Sequence, residues 1–409
     1  MILYQIFIYI FIFLFRIIAL FNQKAKEGWE ARKSLFNRLE QNLTKQKNII
    51  WFHCASLGEF EQGRPLIEKI KSEQPNKFIL LTFFSYSGFS IQKNYPFADY
   101  IDYIPFDTKR NARKLLQLIQ PELVVFVKYE FWWNIIQALE SKNIRIILIS
   151  GIFRENQYFF KWYGSVFKKL IEKFTYLYLQ DQNSAAILQK NGILNIDISG
   201  DTRIDRVMTI SKSAKQNEII STFKSDKKLL IAGSTWEKDE AFLIDLIPIL
   251  NEDWRMVIAP HEINRKYLEQ NLKKKNLDFC QYTNFSNYHP KVLILNTIGH
   301  LSSIYKYADL VYIGGGFDDG IHNILEPMAF GKTIIFGPNY HKFNEAVETI
   351  RLGSNIVVNN EAELKNSFHF LDNNLEEIAI RNEKNRNFML ANEGATDRIY
   401  QSISIFLNH

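Results

Sequence analysis

Short apolar runs alternate with amphipathic segments in two successive series, and this alternation constrains the fold more than any other feature of the chain. The pattern is typical of βαβ units, which form parallel sheets. In the first series we predict strands at 49–54, 78–83, 123–127, 144–149, 176–179 and 196–199, with helices such as 64–71 and 110–119 between them. In the second series we predict strands at 228–232, 255–259, 292–295, 310–313, 333–336 and 355–358, with helices at 238–250, 264–275, 301–307 and 343–352.

Two such series predict an α/β protein with two doubly wound, Rossmann-like domains that face a cleft, the usual ligand site of such sheets. The chain has 409 residues, enough for two domains of ordinary size. We expect the first domain at 22–207 and the second at 227–385. The segment 208–226 is polar and rich in Ser and Lys, which predicts a linker. Residues 386–409 are predicted to form a C-terminal helix that can cross back to the first domain.

The N-terminal segment 1–21 is strongly apolar, with Gln5 and Arg16 as its strongly polar residues. As a helix it would be about 30 Å long, the thickness of a bilayer core. Seven Lys or Arg against three Glu follow in 22–50, which predicts that the rest of the chain lies in the cytoplasm. A membrane span, a helix lying on the bilayer and a buried globular helix all stay open. A cleaved signal peptide fits less well, because a basic n-region and a small-residue cleavage site are missing.

The net charge of +6 suits an anionic membrane surface or anionic substrates. The sequence has no long Lys/Arg tract, so it does not indicate nucleic acid as a partner. Cys54 and Cys280 are far apart and have neither metal-site spacing nor a disulfide framework, which is consistent with a reducing compartment.

A glycine-rich segment, GGGFDDGIHNILE at 314–326, follows a predicted strand. Three glycines would let the backbone approach a ligand, and a helix beginning near Asn323 would direct its free N–H groups and positive dipole end to the same place. Glu326 could accept hydrogen bonds from a ribose hydroxyl pair. This order of residues favours a site for a nucleotide-linked donor.

In the first half, carboxylates follow two predicted strands. Glu59 ends HCASLGE, where a carboxylate could serve as a general base or merely cap a helix. Glu130 lies in KYEFWW, in which Trp132 and Trp133 could contact a sugar or lipid, although core packing is favoured. Arg203, in GDTRID, could pair with a phosphate or carboxylate, or form a salt bridge with a neighbouring aspartate, Asp201 or Asp205.

In the second half, the motif APHEINR begins like the zinc motif HExxH, but Arg265 stands at the second His position, so the zinc interpretation fails. His261 and Arg265 instead suit a nucleotide phosphate. In NTIGH, Gly299 permits close approach and His300 could contact the nucleotide. Ser and Thr in GSTW could cap a helix or hold a phosphate, and capping is the simpler interpretation.

Taken together, these segments resemble the 3-deoxy-D-manno-octulosonic acid (Kdo) transferases of lipopolysaccharide assembly. The segments that carry the resemblance occur in family order: HCASLGE, KYEFWW, GDTRID, GSTW, APHEINR, NTIGH and GGGFDDGIHNILEP. The resemblance implies a GT-B fold with an acceptor-binding first domain and a CMP-sugar-binding second domain. It implies transfer of Kdo from CMP-Kdo to a lipid A precursor (lipid IVA) at the cytoplasmic face of the inner membrane, with inner-membrane lipids as partners, no cofactor and no metal.

Carried over by position, Glu59 matches the family's catalytic base, and Glu130 and Arg203 match residues that assist the transition state. Arg203 stands where a Lys is common in the family. The segments expected to contact CMP are Pro260 and His261, then Ile298, Gly299 and His300, then Asn323, Ile324, Leu325 and Glu326.

A hydroxyl attacking from the face opposite the leaving phosphate predicts an inverting glycosyltransferase. The alternatives are a GT-B-fold nucleotide-sugar epimerase or another membrane-associated glycosyltransferase. Such an epimerase acts on soluble UDP-sugars, which leaves the segment 1–21 unexplained.

Overall fold

The structure, a computed structural model, describes residues 2–161, 164–263, 266–286 and 290–407. It divides into two compact units. The first comprises Met1–Asp205 together with Gly394–His409, and the second comprises Arg206–Glu393. Each unit contains one parallel sheet of seven strands with helices packed on it, which confirms the predicted α/β class.

The sheet of the first unit has the strand order β3-β2-β1-β4-β5-β6-β7. Its strands are β1 (Ile49–Cys54), β2 (Phe78–Phe83), β3 (Tyr100–Tyr103), β4 (Leu123–Val127), β5 (Arg145–Gly151), β6 (Tyr176–Leu179) and β7 (Ile196–Ile198). β1 and β4 are buried along their whole length, because helices cover both faces of the sheet. The sequence did not predict β3, whose four residues include Asp102, held by Arg38 through a 2.6 Å ion pair.

Eleven helices accompany this sheet within the described residues: α1 (Ile2–Phe21), α2 (Gln23–Lys33), α3 (Leu35–Leu43), α4 (Leu57–Glu73), α5 (Tyr86–Gln92), α6 (Lys109–Ile119), α7 (Trp133–Glu140), α8 (Ser165–Ile171), α9 (Gln182–Lys190), α10 (Thr202–Ser213, which contains the unit boundary) and α19 (Ala395–Leu407). On one face, α3, α6 and α7 form a core with the strands. On the other face, α4 and α19 form a second core.

The sheet of the second unit has the order β10-β11-β9-β8-β12-β13-β14. Its strands are β8 (Lys228–Thr235), β9 (Trp254–Pro260), β10 (Phe279–Gln281), β11 (Val292–Ile294), β12 (Leu310–Ile313), β13 (Ile334–Phe336) and β14 (Ile356–Val357). Its helices are α11 (Glu218–Lys224), α12 (Glu237–Leu246), α13 (Tyr267–Lys274), α14 (Leu301–Ile304), α15 (Leu325–Ala329), α16 (Asn344–Arg351), α17 (Glu361–Asp372) and α18 (Leu375–Asn392).

The chain between the sheets is more ordered than the linker expected at 208–226, since that segment holds the end of α10 and all of α11. Near the C-terminus, α18 belongs to the second unit and the chain enters the first unit at Gly394. The Asp205 carboxylate accepts hydrogen bonds of 2.6 Å from the backbone N–H groups of Gly394 and Thr396. These bonds fix the start of α19, which then packs on α4.

The strand order reverses between β1 and β4 in the first unit and between β8 and β12 in the second, where β10 and β11 are also interchanged at the edge. Ligands of doubly wound sheets bind beside the carboxyl ends of the strands at such points. The segments that follow β1, β4, β8 and β12 are therefore the places to look for a site.

Candidate active site

Glu59 lies in the first turn of α4, directly after β1. Its Oε2 accepts hydrogen bonds from the Ser56 backbone N–H (2.8 Å) and the Ser56 hydroxyl (3.1 Å), so the capping role exists. The cap uses one carboxylate oxygen, and Oε1 makes no hydrogen bond to any residue that the structure describes. Burial raises the pKa of Glu59, and the negative charge of Glu130 raises it further. Glu59 can therefore cap the helix and still offer an oxygen to a proton donor.

Glu130 follows β4, the neighbour of β1, and its carboxylate is fixed by an aromatic donor. The indole N–H of Trp132 lies 2.8 Å from Glu130 Oε2 and 3.1 Å from His53 Nε2. His53 is fully buried, and its Nδ1 lies 3.1 Å from the backbone oxygen of Thr82. Because a carbonyl can only accept, Nδ1 carries the proton and Nε2 is the acceptor. His53, Glu130 and Trp132 thus form one connected hydrogen-bonded group at the reversal point.

The two tryptophans of KYEFWW have different surroundings. Trp133 is buried, with 6% of its surface exposed, as expected of a core residue. Trp132 is only half-buried, and it stacks on Phe84 with 5.3 Å between ring centroids. Core packing was the favoured interpretation for both residues, and Trp132 does pack against the core of the first unit while its indole N–H also donates to Glu130. His53 was also missed, although it opens the motif HCASLGE.

Arg203 forms the salt bridge that the sequence left open as an alternative. Its Nη2 lies 2.6 Å from Asp201 Oδ2, and its Nε lies 2.9 Å from the same oxygen. Nearby, the Thr202 hydroxyl donates to the backbone oxygen of Gln62 in α4 at 2.6 Å. The motif GDTRID therefore ties the end of the first sheet to α4 and α19, and a role of Arg203 toward a substrate anion stays a prediction.

In the second unit, the glycines after β12 serve the protein's own packing. A Cβ on Gly314 would lie 2.6 Å from Thr235 Cα, and one on Gly316 would lie 2.6 Å from Gly337 Cα. Gly315 has a φ of +88°, which L side chains rarely adopt. Neighbouring backbone fills the space where side chains would lie, and the expected approach of a ligand to these glycines stays a prediction.

The helix expected to begin near Asn323 begins at Leu325 and has five residues. Asn323 precedes it, and its Oδ1 accepts from the Leu325 N–H at 3.0 Å. So short a helix has little dipole, and one of its free N–H groups is already bonded. The side chains of Ile324 and Leu325 are buried in the protein, with 1% and 0% exposure.

Three of the predicted nucleotide contacts nevertheless meet at one cavity of about 280 Å³. Its lining is Ser234, Gly299, Leu301, Ser302, Tyr305, His322, Asn323 and Glu326. The Asn323 amide donates to Glu326 Oε1 at 3.2 Å, and burial raises the pKa of the Glu326 carboxyl. His300 lines an adjoining cavity of about 670 Å³ that shares Gly299. Ile298 is 88% exposed, and Pro260 ends β9.

An aromatic stack stands at the same edge of the second sheet. The ring of His261 stacks on both Trp236 and His322, with ring centroids 4.6 Å and 4.4 Å away, and the rings of Trp236 and His322 lie side by side with centroids 6.4 Å apart. The Trp236 indole N–H donates to His322 Nε2 at 2.9 Å, which leaves the ring proton on Nδ1. Burial, with the neighbouring His261, lowers the pKa of His322 to about 4, so His322 is neutral near pH 7. The sequence predicted His261, but it gave no reason to select Trp236 or His322.

A buried carboxylate holds this edge together. Asp239 accepts hydrogen bonds from the Trp236 and Gly315 backbone N–H groups, at 2.9 Å and 2.8 Å, and from the Tyr312 hydroxyl at 2.6 Å. It joins the turn after β8 to the turn after β12. The sequence analysis did not select Asp239.

No group of three His, Cys, Asp or Glu side chains in the described part of the chain could hold a metal ion. Arg265, predicted to pair with a nucleotide phosphate, lies outside the described residues.

Residues 27–206 match the model of a protein family described as 3-deoxy-D-manno-octulosonic-acid transferase. A bifunctional glycosyltransferase/methyltransferase of Fusobacterium nucleatum is 27% identical over 377 residues, which cover 87% of this chain and 59% of that protein. A 3-deoxy-D-manno-octulosonic acid transferase of Chlamydophila psittaci is 25% identical over 376 residues, which cover 88% of this chain and 85% of that protein. The chain thus spans less than two thirds of the Fusobacterium protein's length and most of the Chlamydophila protein's.

Among solved structures, the UDP-GlcNAc 2-epimerase of Neisseria meningitidis has a TM-score of 0.62 at 13% identity, covering 87% of this chain and 99% of that one. At this identity the likeness shows the fold alone, and it confirms two Rossmann-like domains of the GT-B type. The matches to curated relatives cover most of the chain. They confirm the resemblance, and the chain is related to the family of Kdo transferases, which are glycosyltransferases.

Proposed function

We propose that this chain transfers Kdo from CMP-Kdo to a lipid A precursor such as lipid IVA, with inversion at the anomeric carbon, in lipopolysaccharide biosynthesis. The observation that carries the proposal is the pair of carboxylates, Glu59 and Glu130, after adjacent strands of the first unit, in the segment that matches the Kdo transferase family. An acceptor hydroxyl needs a base, and a developing glycosyl cation needs a nearby negative charge.

In the proposed reaction, Glu59 Oε1 takes the proton of the acceptor's hydroxyl. The hydroxyl oxygen forms a bond to the anomeric carbon, and the bond from that carbon to the phosphate breaks, so CMP leaves with the electron pair. A carboxylate whose pKa is raised toward neutral pH is a better base than one with an ordinary pKa. Glu130, held in place by the Trp132 N–H, stabilises positive charge at the anomeric carbon.

The second unit is the proposed donor site. Glu326 is suited to accept from ribose hydroxyls, and Gly299 allows close approach because nothing lies within 4 Å of a Cβ placed there. The neutral His322 can donate from Nδ1 to an acidic group of the donor. The proposed holders of CMP are the cavity residues together with Pro260, His261 and His300. The chemistry needs no metal if these donors and Arg203 neutralise the phosphate and the sugar carboxylate.

We propose that the protein acts at the cytoplasmic face of the inner membrane. The support is α1, whose 20 residues have a mean hydropathy of 2.3 and are mostly exposed. An enzyme whose acceptor is a membrane lipid must bind that acceptor at the bilayer surface.

Thermal unfolding with CMP or UDP tests the donor class, because a nucleotide that binds the folded state raises the melting temperature. We expect CMP to stabilise the protein and UDP to have little effect. Glu326→Gln should reduce the stabilisation by CMP. Stabilisation by UDP alone would favour a UDP-sugar epimerase, and the absence of any nucleotide effect would favour a catalytically silent scaffold.

A further inference from the structure

One face of α1 is docked along the first unit. The docked residues recur at helical spacing: Tyr4, Ile8, Phe11, Phe15 and Ala19. Ile8 and Ala19 are buried, at 2% and 5% exposure. Phe11 and Phe15 pack on Phe84 and Phe106, with ring centroids between 5.4 Å and 6.4 Å apart. The contacts therefore run from the first turn of the helix to the last.

Polar contacts fix the amino end of α1. The Tyr4 hydroxyl donates to Asp107 Oδ2 at 2.6 Å, and the Gln5 amide donates to Asn134 Oδ1 at 2.6 Å. Asp107 and Asn134 are themselves buried. If α1 crossed a bilayer while keeping these contacts, it would bring this part of the globular unit into the hydrocarbon. The docking instead favours a helix that lies along the surface of the unit.

The opposite face of α1 is a continuous apolar surface. Its members are large apolar residues that are at least 38% exposed: Ile2, Leu3, Ile6, Phe7, Tyr9, Ile10, Phe13, Leu14, Ile17, Ile18, Leu20 and Phe21. Single exposed apolar residues are normal in soluble proteins, but a patch of this extent marks an interaction surface.

A basic cavity of about 520 Å³ adjoins this surface, between the end of α1 and α2. It is lined by Arg16, Ala19, Leu20, Lys26, Trp29, Glu30 and Lys33. The guanidinium of Arg16 lies 6.0 Å from the centroid of the Trp29 ring. Glu30 pairs with Lys33 at 2.8 Å, which leaves Arg16 and Lys26 as the excess positive charge. Cations and an indole at the border of an apolar surface suit the headgroup layer of a membrane.

We propose that α1 lies in the plane of the membrane interface with its exposed face in the bilayer, and that the Arg16–Lys26–Trp29 cavity holds the phosphate of an anionic membrane lipid. The exposed apolar face suits the bilayer interior, and the positively charged cavity beside it suits an anionic lipid headgroup. The inference deepens the proposed membrane association. Its tests measure vesicle binding and depth, so it can fail while the proposed sugar transfer holds.

The cavity is tested with the full chain and vesicles of phosphatidylcholine alone or mixed with phosphatidylglycerol. We expect the wild type to prefer the anionic vesicles and to lose that preference at high salt. The double variant Arg16→Gln/Lys26→Gln should bind anionic vesicles ~30-fold more weakly, at about 1 kcal/mol per basic residue. The matched control is Lys45→Gln/Lys47→Gln, which removes two exposed charges at the amino edge of the first sheet and should bind like the wild type.

Wild-type binding by the Arg16/Lys26 variant, with an unchanged melting temperature, would reject the cavity. The variant could also bind vesicles like the wild type but lose transfer to a phosphorylated lipid acceptor. That outcome would reject the proposal too, because the cavity would then bind the acceptor rather than a membrane lipid.

The orientation of α1 relative to the bilayer is tested by measuring how deep spin labels on the helix lie in the membrane. Spin labels at Ile6→Cys and Ile17→Cys lie on the exposed face, eleven residues or about 16 Å of helix apart. The background variant is Cys280→Ser, because Cys280 is partly exposed whereas Cys54 is buried. A helix in the interface places both labels at the same depth. A depth difference close to 16 Å would mean that α1 spans the membrane and would overturn the proposal.

Discussion

Phe84 stacks on Trp132, with 5.3 Å between the ring centroids and 28° between the ring planes. Phe84 also contacts Phe11 and Phe15 of α1. The indole of Trp132 in turn holds Glu130. A continuous aromatic path therefore joins the apolar helix to the candidate catalytic carboxylate, at the carboxyl edge of the first sheet. Under the proposed function, we expect a lipid acceptor to approach Glu130 along this edge.

Replacing Trp132 by Phe should keep the ring packing on Phe84 and remove the indole N–H that donates to Glu130. We expect kcat to fall about 10- to 100-fold, because Glu130 would lose the partner that orients it. The KM for the donor should change little. The measurement is steady-state transfer kinetics.

Trp254→Phe is the matched control for that variant, since its indole donates to Asp372 at 2.7 Å in the second unit. It should lower the melting temperature and leave kcat unchanged. Equal losses of kcat in both variants would mean that Trp132 acts through stability alone.

Glu59→Gln distinguishes the proposed role of Glu59 as a catalytic base from its role as a helix cap. The amide oxygen can still accept from the Ser56 N–H, but it cannot take a proton at neutral pH. We expect transfer to fall by about 10²-fold or more, while the free energy of unfolding changes little. Ser56→Ala should do the reverse and cost about 0.5–2 kcal/mol of stability with activity largely kept. Near wild-type transfer by Glu59→Gln would remove Glu59 as the base.

The pH dependence of transfer should reflect the raised pKa of Glu59. Only the ionised carboxylate is a base, so kcat/KM should fall as the pH drops through that pKa, which lies above the usual pKa of a glutamate. Glu130→Gln removes a negative neighbour and should move this acid limb to lower pH. The folded state favours protonated Glu59, so its contribution to stability is present at low pH and is lost as the pH rises through the raised pKa. An acid limb that stays in place in Glu130→Gln would contradict the coupling.

Trp236→Phe tests the tautomer of His322. Without the indole N–H, Nε2 loses the donor that fixes the ring proton on Nδ1. We expect ¹⁵N NMR of the wild type to show a neutral ring protonated at Nδ1 from neutral pH down to about pH 5, given the pKa of about 4. The variant should show mixed tautomers and weaker stabilisation by CMP. His322→Asn, whose amide N–H replaces Nδ1–H, should bind CMP better than His322→Gln. Equal CMP binding by all of these proteins would rule out a donor contact from His322.

Much of the fold could be predicted because buried parallel strands are short apolar runs, such as Leu123–Val127, which was predicted at its observed bounds. The strand Tyr100–Tyr103 was not predicted because it contains Asp102. The charge of Asp102 is neutralised by Arg38, a long-range ion pair that no local sequence pattern shows. The glycines of the segment 314–326 were predicted to let a ligand approach the backbone, and the structure shows that Gly314 and Gly316 let neighbouring backbone approach.

In the first unit, the sequence indicated candidate site residues where a carboxylate follows a strand, as at Glu59 and Glu130. His53 and Trp132 were missed because their partners lie on other strands: His53 contacts Thr82 of β2, and Trp132 reaches back from β4 to β1. Trp236 and His322 are 86 residues apart and meet only through the adjacency of β8 and β12. Such contacts depend on the strand order, which the sequence pattern does not specify.

The most direct test incubates the full chain with CMP-Kdo and lipid IVA and measures the mass of the lipid and the release of CMP. The account predicts a lipid heavier by one or more Kdo residues, with an equal amount of CMP released, and no such product with Glu59→Gln. An unchanged lipid mass with the folded wild-type protein would contradict the account.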